Sequence, residues 1–284
     1  MFPLAMRYVD FILNLAGLLL WLNWRAIRFD PLDRRTPATL MGTLRPAAPQ
    51  KLRRWHLLAF IAGLLLARAV VYRWVAGWLG ASVWVGQLNL GVTALSFRSN
   101  DFLRILIFSV LSFGLMLGIF YLLLLLLSLL RGPEPLHRLV KIPLGQVDGW
   151  PWPVKALLPL LVTVPVWGLL AWLLARLQVL PPVVSPAQWL EQSLAIGLRA
   201  YLLWLFPVAT LLVLHLLNSY IYFGPHPFWN YVRVTAQKLL RPLALAPLRM
   251  GRVDFAPVAA LVLVFLAAEA ARRGLTWVYP RLPL

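Results

Sequence analysis

The chain of 284 residues is 61% hydrophobic and carries 14 Trp, well above the roughly 45–50% apolar content of soluble domains, which excludes an ordinary soluble fold. It has no cysteine, which excludes disulfides, thiolate metal sites and a cysteine nucleophile. A formal net charge of +18 would indicate nucleic acid in a soluble protein; in a membrane protein its distribution along the chain matters more.

A bilayer offers backbone groups no partner, so long apolar runs without alternation must be helices. Six such runs are predicted, at 8–27, 56–79, 102–130, 154–177, 199–222 and 255–278. They pair as three repeated helical hairpins in an all-α membrane protein. The first occupies 1–79; an outer connection at 80–101 precedes the second at 102–180, and another at 181–198 precedes the third at 199–284. No small-residue cleavage site follows the first run, so it reads as a retained anchor. The stretch 80–101 reads as irregular or interfacial pieces, with a re-entrant segment as the alternative. The stretch 181–198 opens on Pro181-Pro182 and reads in the same way.

Within the hairpins, the loops Arg25 to Arg54, Arg131 to Lys155 and Arg233 to Arg252 hold 17 of the 27 Lys and Arg. The positive-inside rule then turns these loops to the cytoplasm and both termini outward. Trp21, Trp24, Trp74, Trp78, Trp150, Trp152 and Trp277 mark span ends at the interfaces. Each loop also has an amphipathic piece. In the last, Val232, Ala236, Leu239, Leu240 and Leu243 share one helical face, opposite Arg233, Gln237, Lys238 and Arg241. Such a segment either lies in the headgroup plane of an anionic leaflet or merely sets topology.

The hairpin turns share a punctuation. Gly132-Pro133-Glu134-Pro135 and Gly224-Pro225-His226-Pro227 end helices, the glycines by left-handed closure and the prolines by blocking continuation. Asp148 with Pro151, and Asp254 with Pro257, open the next helix as N-cap and first-turn proline. Prolines 159, 165 and 207 fall inside spans and are expected to kink them.

Ionisable residues inside spans are the candidate sites. Arg68, mid-span, either snorkels outward beside Arg73 or pairs with Asp10, which forms a polar stripe with Asn14. Glu269 has Arg272 and Arg273 at helical ion-pair spacing. His215 and Asn218, three apart, suit a helix-joining hydrogen bond. The four histidines, His56, His137, His215 and His226, show no paired metal spacing, and no phosphate loop, carboxylate pair or nucleophile elbow is visible. The sequence therefore predicts no enzyme and no cofactor.

The last hairpin, through Pro225-His226-Pro227-Phe228-Trp229, Leu240-Arg241-Pro242, Arg249 and Val253-Asp254-Phe255-Ala256-Pro257, resembles the YggT family of bacterial and plastid membrane proteins. The resemblance runs from Leu211 to Leu275 and more weakly over Leu20-Trp21-Leu22-Asn23-Trp24-Arg25 and Leu44-Arg45-Pro46. The chain departs from the family pattern at Thr235-Ala236-Gln237 and Phe255-Ala256-Pro257 and in its middle hairpin. The resemblance implies a non-enzymatic integral protein of the bacterial cytoplasmic membrane that organises or helps assemble membrane complexes. The expected partners are other integral membrane proteins and anionic lipids, without nucleic acid, and the contact residues are Phe228, Trp229, Arg233, Lys238, Arg241, Arg249 and Arg252. Repeated hairpins and broken helices also suit a channel or secondary transporter.

Overall fold

The computed structural model describes residues 2–26, 54–78, 85–89, 94–98, 101–134, 136–180, 185–221, 224, 226–245, 249–250 and 253–278. The elements run α1 (Phe2–Ala26), α2 (Arg54–Trp78), β1 (Val85–Asn89), β2 (Ala94–Arg98), α3 (Phe102–Leu130), α4 (His137–Leu144), α5 (Trp152–Arg176), α6 (Pro186–Leu202), α7 (Leu205–Tyr220), α8 (Pro227–Leu240), β3 (Arg249–Met250), β4 (Val253–Asp254) and α9 (Ala256–Val278). Among the described residues, four stretches are long and apolar enough to cross a membrane: Trp55–Trp74, Phe102–Leu130, Trp152–Arg176 and Pro186–Tyr220. The predicted first and last spans fold as helices but are not among these four; α1 carries Asp10, Asn14 and Arg25, and α9 carries Glu269, Arg272 and Arg273.

The chain divides into two compact units, Met1–Gly86 with Phe97–Leu117 and Gln87–Ser96 with Gly118–Leu284, so that α3 is divided after Leu117. Unit 1 contains α1, α2 and the first part of α3. Here α1 and α2 pack side by side. Gly17 lets α1 approach α3: a Cβ there would lie 2.8 Å from the Phe113 ring. Leu57, Ile61, Ala69, Tyr72, Ile105 and Phe108 fill the interior.

Unit 2 contains the rest of α3 and α4 to α9. The close partner of α5 is α6 rather than α3, which replaces the predicted second hairpin. Two glycines account for this contact. A Cβ on Gly168 would collide with the Trp189 indole, and one on Gly197 would lie 2.8 Å from Leu160; small residues let membrane helices approach closely. The predicted outer connection at 181–198 is thus mostly helix. Ser185 accepts the Gln188 backbone N–H at 3.2 Å and Pro186 opens the first turn, a strong helix start. The predicted fifth span is the end of α6 and all of α7, interrupted at Leu203 and Trp204. Helix α5 runs through Pro159 and Pro165 without a break, and Pro207 falls in the first turn of α7, where a missing N–H costs little.

Helix α7 packs on α8 and α9, with Leu212, Leu240 and Ala260 at the centre and Val208, Leu239, Leu243 and Val264 around them. The apolar face of α8 is therefore spent on protein. Of the two alternatives for this segment, the one that lays this face on lipid is excluded, because Val232, Ala236 and Leu240 are already buried. The described residues are nearly all helical, as expected, and short strand pairs are added to the helices. The strands β1 and β2 pair, as do β3 and β4, the latter antiparallel with Arg249 opposite Asp254.

The punctuation residues hold in part. Gly224 has φ +82°, as predicted, and Pro227 opens α8 with the His226 Nδ1 accepting the Phe228 N–H at 3.2 Å. Pro257 sits in the first turn of α9, fully buried. At the other turn, however, the left-handed residue is Arg131, φ 41°, and not Gly132. Gly132 is needed for space, since a Cβ there would enter the Tyr231 ring. The Pro133 carbonyl accepts the His137 N–H at 3.4 Å. Pro151 occupies the cap position of α5 itself. Asp148 is no cap; it lies in a 3-10 turn, Gly145–Gly149, with its carboxylate turned inward. Asp254 belongs to β4, and the first turn of α9 closes from the Phe255 carbonyl to the Ala259 N–H at 2.9 Å. Pro135, Pro225 and Arg252, the loop 27–53, and the side chains of Arg249, Asp254, Trp78 and Trp277 lie outside the described residues.

Candidate functional site

Two polar clusters form inside otherwise apolar packing, one in each unit. In unit 1, Arg68 is 2% exposed, and its planar guanidinium presents donors in several directions. Nη1 donates to Asn14 Oδ1 at 2.8 Å, and Nη2 donates to Asp10 Oδ1 at 2.7 Å and to Ser112 Oγ at 3.0 Å. Asn14 Nδ2 also donates to Ser112 Oγ at 3.0 Å. The Tyr72 and Phe108 rings each lie 5.5 Å from the guanidinium carbon, adding cation–π attraction. Nearby, Ser109 Oγ ties α3 to the Leu65 carbonyl of α2 at 3.0 Å. Arg68 thus pairs with Asp10 and does not snorkel. Helical spacing explains the site: Asp10 and Asn14 stand one turn apart on α1, so both face α2. Ser112 is the member that the sequence reading missed.

In unit 2, Lys155, 1% exposed, donates from Nζ to Ser128 Oγ at 2.9 Å. Ser128 donates in turn to Asp148 Oδ1 at 2.5 Å, and His137 Nε2 lies 3.3 Å from Asp148 Oδ2. Burial pushes the Asp148 carboxyl up, but the Ser128 hydrogen bond and the charges of His137 and Lys155 outweigh it and hold the group below its ordinary value. The cluster joins the end of α3 to α4, the 3-10 turn and the start of α5. None of its members was singled out as a site from the sequence, except Asp148 in the wrong role; a hydroxyl inside the leucine run Leu122–Leu130 was the available signal.

The remaining predicted residues take no part in these clusters. Glu269 accepts from Arg273 Nε at 2.8 Å on the exposed surface of α9, as its spacing predicts. His215 and Asn218 are half-buried on α7. Phe228, Arg233, Lys238 and Arg241 are exposed, and Trp229 is half-buried; Lys238 Nζ donates to the Arg131 carbonyl. Among the described residues no three His, Asp or Glu side chains converge as a metal site would require.

An apolar groove of 860 Å³ opens between α6, α7 and α9, lined by Leu198, Tyr201, Leu205, Val264, Ala268 and Gly274 among others. Beside it, Trp204 Nε1 donates to the Leu122 carbonyl of α3 at 3.0 Å, and Tyr201 Oη donates to the Ala156 carbonyl of α5 at 2.5 Å. The polar tips of these two aromatics are thereby turned into the protein. No family model, no curated protein and no solved structure matches this chain.

Proposed function

We propose that the chain is a non-enzymatic, YggT-like subunit of the bacterial cytoplasmic membrane that binds other integral membrane proteins and helps to assemble their complex. The observation that carries this reading is the division of polar and apolar groups. Arg68 and Lys155 are both engaged inside their own units, whereas the outward faces of the apolar helices expose Leu157, Leu161, Leu169 and Phe206. A protein arranged in this way offers its surroundings apolar helix surface, on which membrane helices associate by close packing. Its work is binding and not turnover. Six spans, with basic loops in the cytoplasm and termini outside, remain part of this proposal.

The test is extraction from native membranes in mild detergent, without overexpression, followed by mass spectrometry of what stays bound. A defined stoichiometric partner set supports the reading. A chain that runs alone or only with itself rejects it. The break between α6 and α7 at Leu203 and Trp204 favours one second reading, a channel or secondary transporter, since interrupted helices build such sites. Solute flux into proteoliposomes that is lost in Arg68→Gln, with folding retained, would favour that reading.

A further inference from the structure

We infer that the end of unit 2 where α3, α4, α5 and α8 converge is a headgroup-level binding surface for anionic phospholipid. The convergence is fixed by three contacts. Lys155 at the start of α5 reaches Ser128 near the end of α3; α4 packs Val140 and Leu144 against Leu124 of α3; and Lys238 of α8 reaches the Arg131 carbonyl. Lys238 and Arg131, 107 residues apart in sequence, are thereby brought to one end.

The charge at this end is one-sided. Arg131, Arg138, Lys141, Arg233, Lys238 and Arg241 are all exposed. Among the described side chains two acids accompany them: Asp148, whose side chain is 10% exposed and turned into its cluster, and Glu134, paired with Arg138 at 2.9 Å. Arg131 takes a left-handed turn, its carbonyl accepts from Lys238, and both cations remain at the surface.

The position of these cations selects lipid over other anions. Arg131 directly follows the last residue of α3, a stretch apolar enough to cross a membrane. Trp150 and Trp152, 40% and 66% exposed, stand at the start of α5, and exposed tryptophans at span ends belong at the headgroup level. Beyond them along α5, Leu157 and Leu161 are exposed and offer acyl chains an apolar track. A phospholipid has both parts, an anionic head for the cations and tails for the leucines. Because the apolar face of α8 is buried on α7 and α9, α8 contributes charge without inserting. Binding is therefore electrostatic at its head end and sensitive to salt.

The inference rests on the membrane-protein reading above but on no particular partner complex. The two therefore fail separately: a missing stoichiometric partner rejects the accessory reading whatever the lipid result. The test uses the full chain in non-ionic detergent, with added phosphatidylglycerol or phosphatidylcholine, read by native mass spectrometry. We expect retention of phosphatidylglycerol to exceed that of phosphatidylcholine at least tenfold, and the preference to fall several-fold in high salt. The triple variant Lys141→Gln/Arg233→Gln/Arg241→Gln should lose most of the preference, while Arg272→Gln/Arg273→Gln on α9 should keep it. Equal retention of the two lipids by the wild-type chain overturns the inference, and so does an intact preference in the triple variant. The salt series on the wild-type chain decides the matter even where the variant does not fold. Capture of single-stranded DNA or polyglutamate at these cations, without lipid preference, also overturns it.

Discussion

Arg68 and Lys155 are sealed from solvent to nearly the same degree, 2% and 1% exposed, yet the two units satisfy them by different means. Arg68 meets a carboxylate directly and takes further acceptors from α1 and α3, at sequence separations of 58, 54 and 44 residues. Lys155 reaches its carboxylate through a hydroxyl, across separations of 27 and 20 residues. A guanidinium has five donors in a fixed fork and needs acceptors in several directions, whereas an ammonium is a point charge that one well-placed oxygen can orient. The side-chain chemistry thus accounts for one cluster needing three helices and the other closing within a contiguous segment.

The largest effects should come from breaking the Arg68 cluster. Arg68→Met leaves Asp10 unpaired inside apolar packing, and the expected loss is about 3–5 kcal/mol, read as thermal unfolding in detergent. Adding Asp10→Leu should restore much of it, since removing both charges removes the desolvation cost. Arg68→Lys should not rescue, because one ammonium cannot hold Asp10, Asn14 and Ser112 together. A double variant no better than Arg68→Met would show that the pair is not the chief stabilising contact of unit 1.

The unit 2 cluster should respond less, and with a pH signature. Asp148→Asn is expected to cost about 1.5–3 kcal/mol at neutral pH. The Asp148 pKa is lowered in the folded chain. Its contribution is therefore complete above the ordinary carboxylate value and is lost as pH falls through the lower folded value. The gap between wild type and Asp148→Asn should accordingly narrow in acid. A gap constant from pH 7 to pH 3 would contradict the assignment. At the same end, Gly132→Ala forces the Tyr231 ring to move, with an expected cost of about 1–3 kcal/mol. Gly224→Ala meets no atom but requires φ +82°, for about 1 kcal/mol. Smallest of all is Glu269→Gln, which breaks an exposed pair on α9 for about 0.3–0.5 kcal/mol.

What could be read from the sequence follows from how far each feature depends on its partners. Asp10, Asn14 and Arg68 stand out because ionisable groups are rare in apolar runs, and helical spacing alone puts the first two on one face. Ser112 does not stand out, since a serine in an apolar helix commonly bonds its own backbone. Lys155 counted as a loop charge and Asp148 as a cap; only tertiary packing reveals that Ser128 draws both inward. The pairing of α5 with α6 depends on Gly168 and Gly197 meeting specific side chains, which no periodicity encodes. The start of α6 was legible in Ser185-Pro186, but the preceding Pro181-Pro182 suggested a longer connection. In α8 the amphipathic face was legible, but what covers it was not, because a buried stripe looks the same whether lipid or protein lies on it.

The division of α3 between the units bears on biogenesis. Arg68 leaves the ribosome 44 residues before Ser112, whereas Asp10 and Asn14 precede it. The pair α1 and α2 therefore already contains the carboxylate and the amide that neutralise the arginine before the third helix has been made. The serine arrives afterwards as a lock on an arrangement already formed. Its loss should leave membrane insertion intact and loosen only the finished protein.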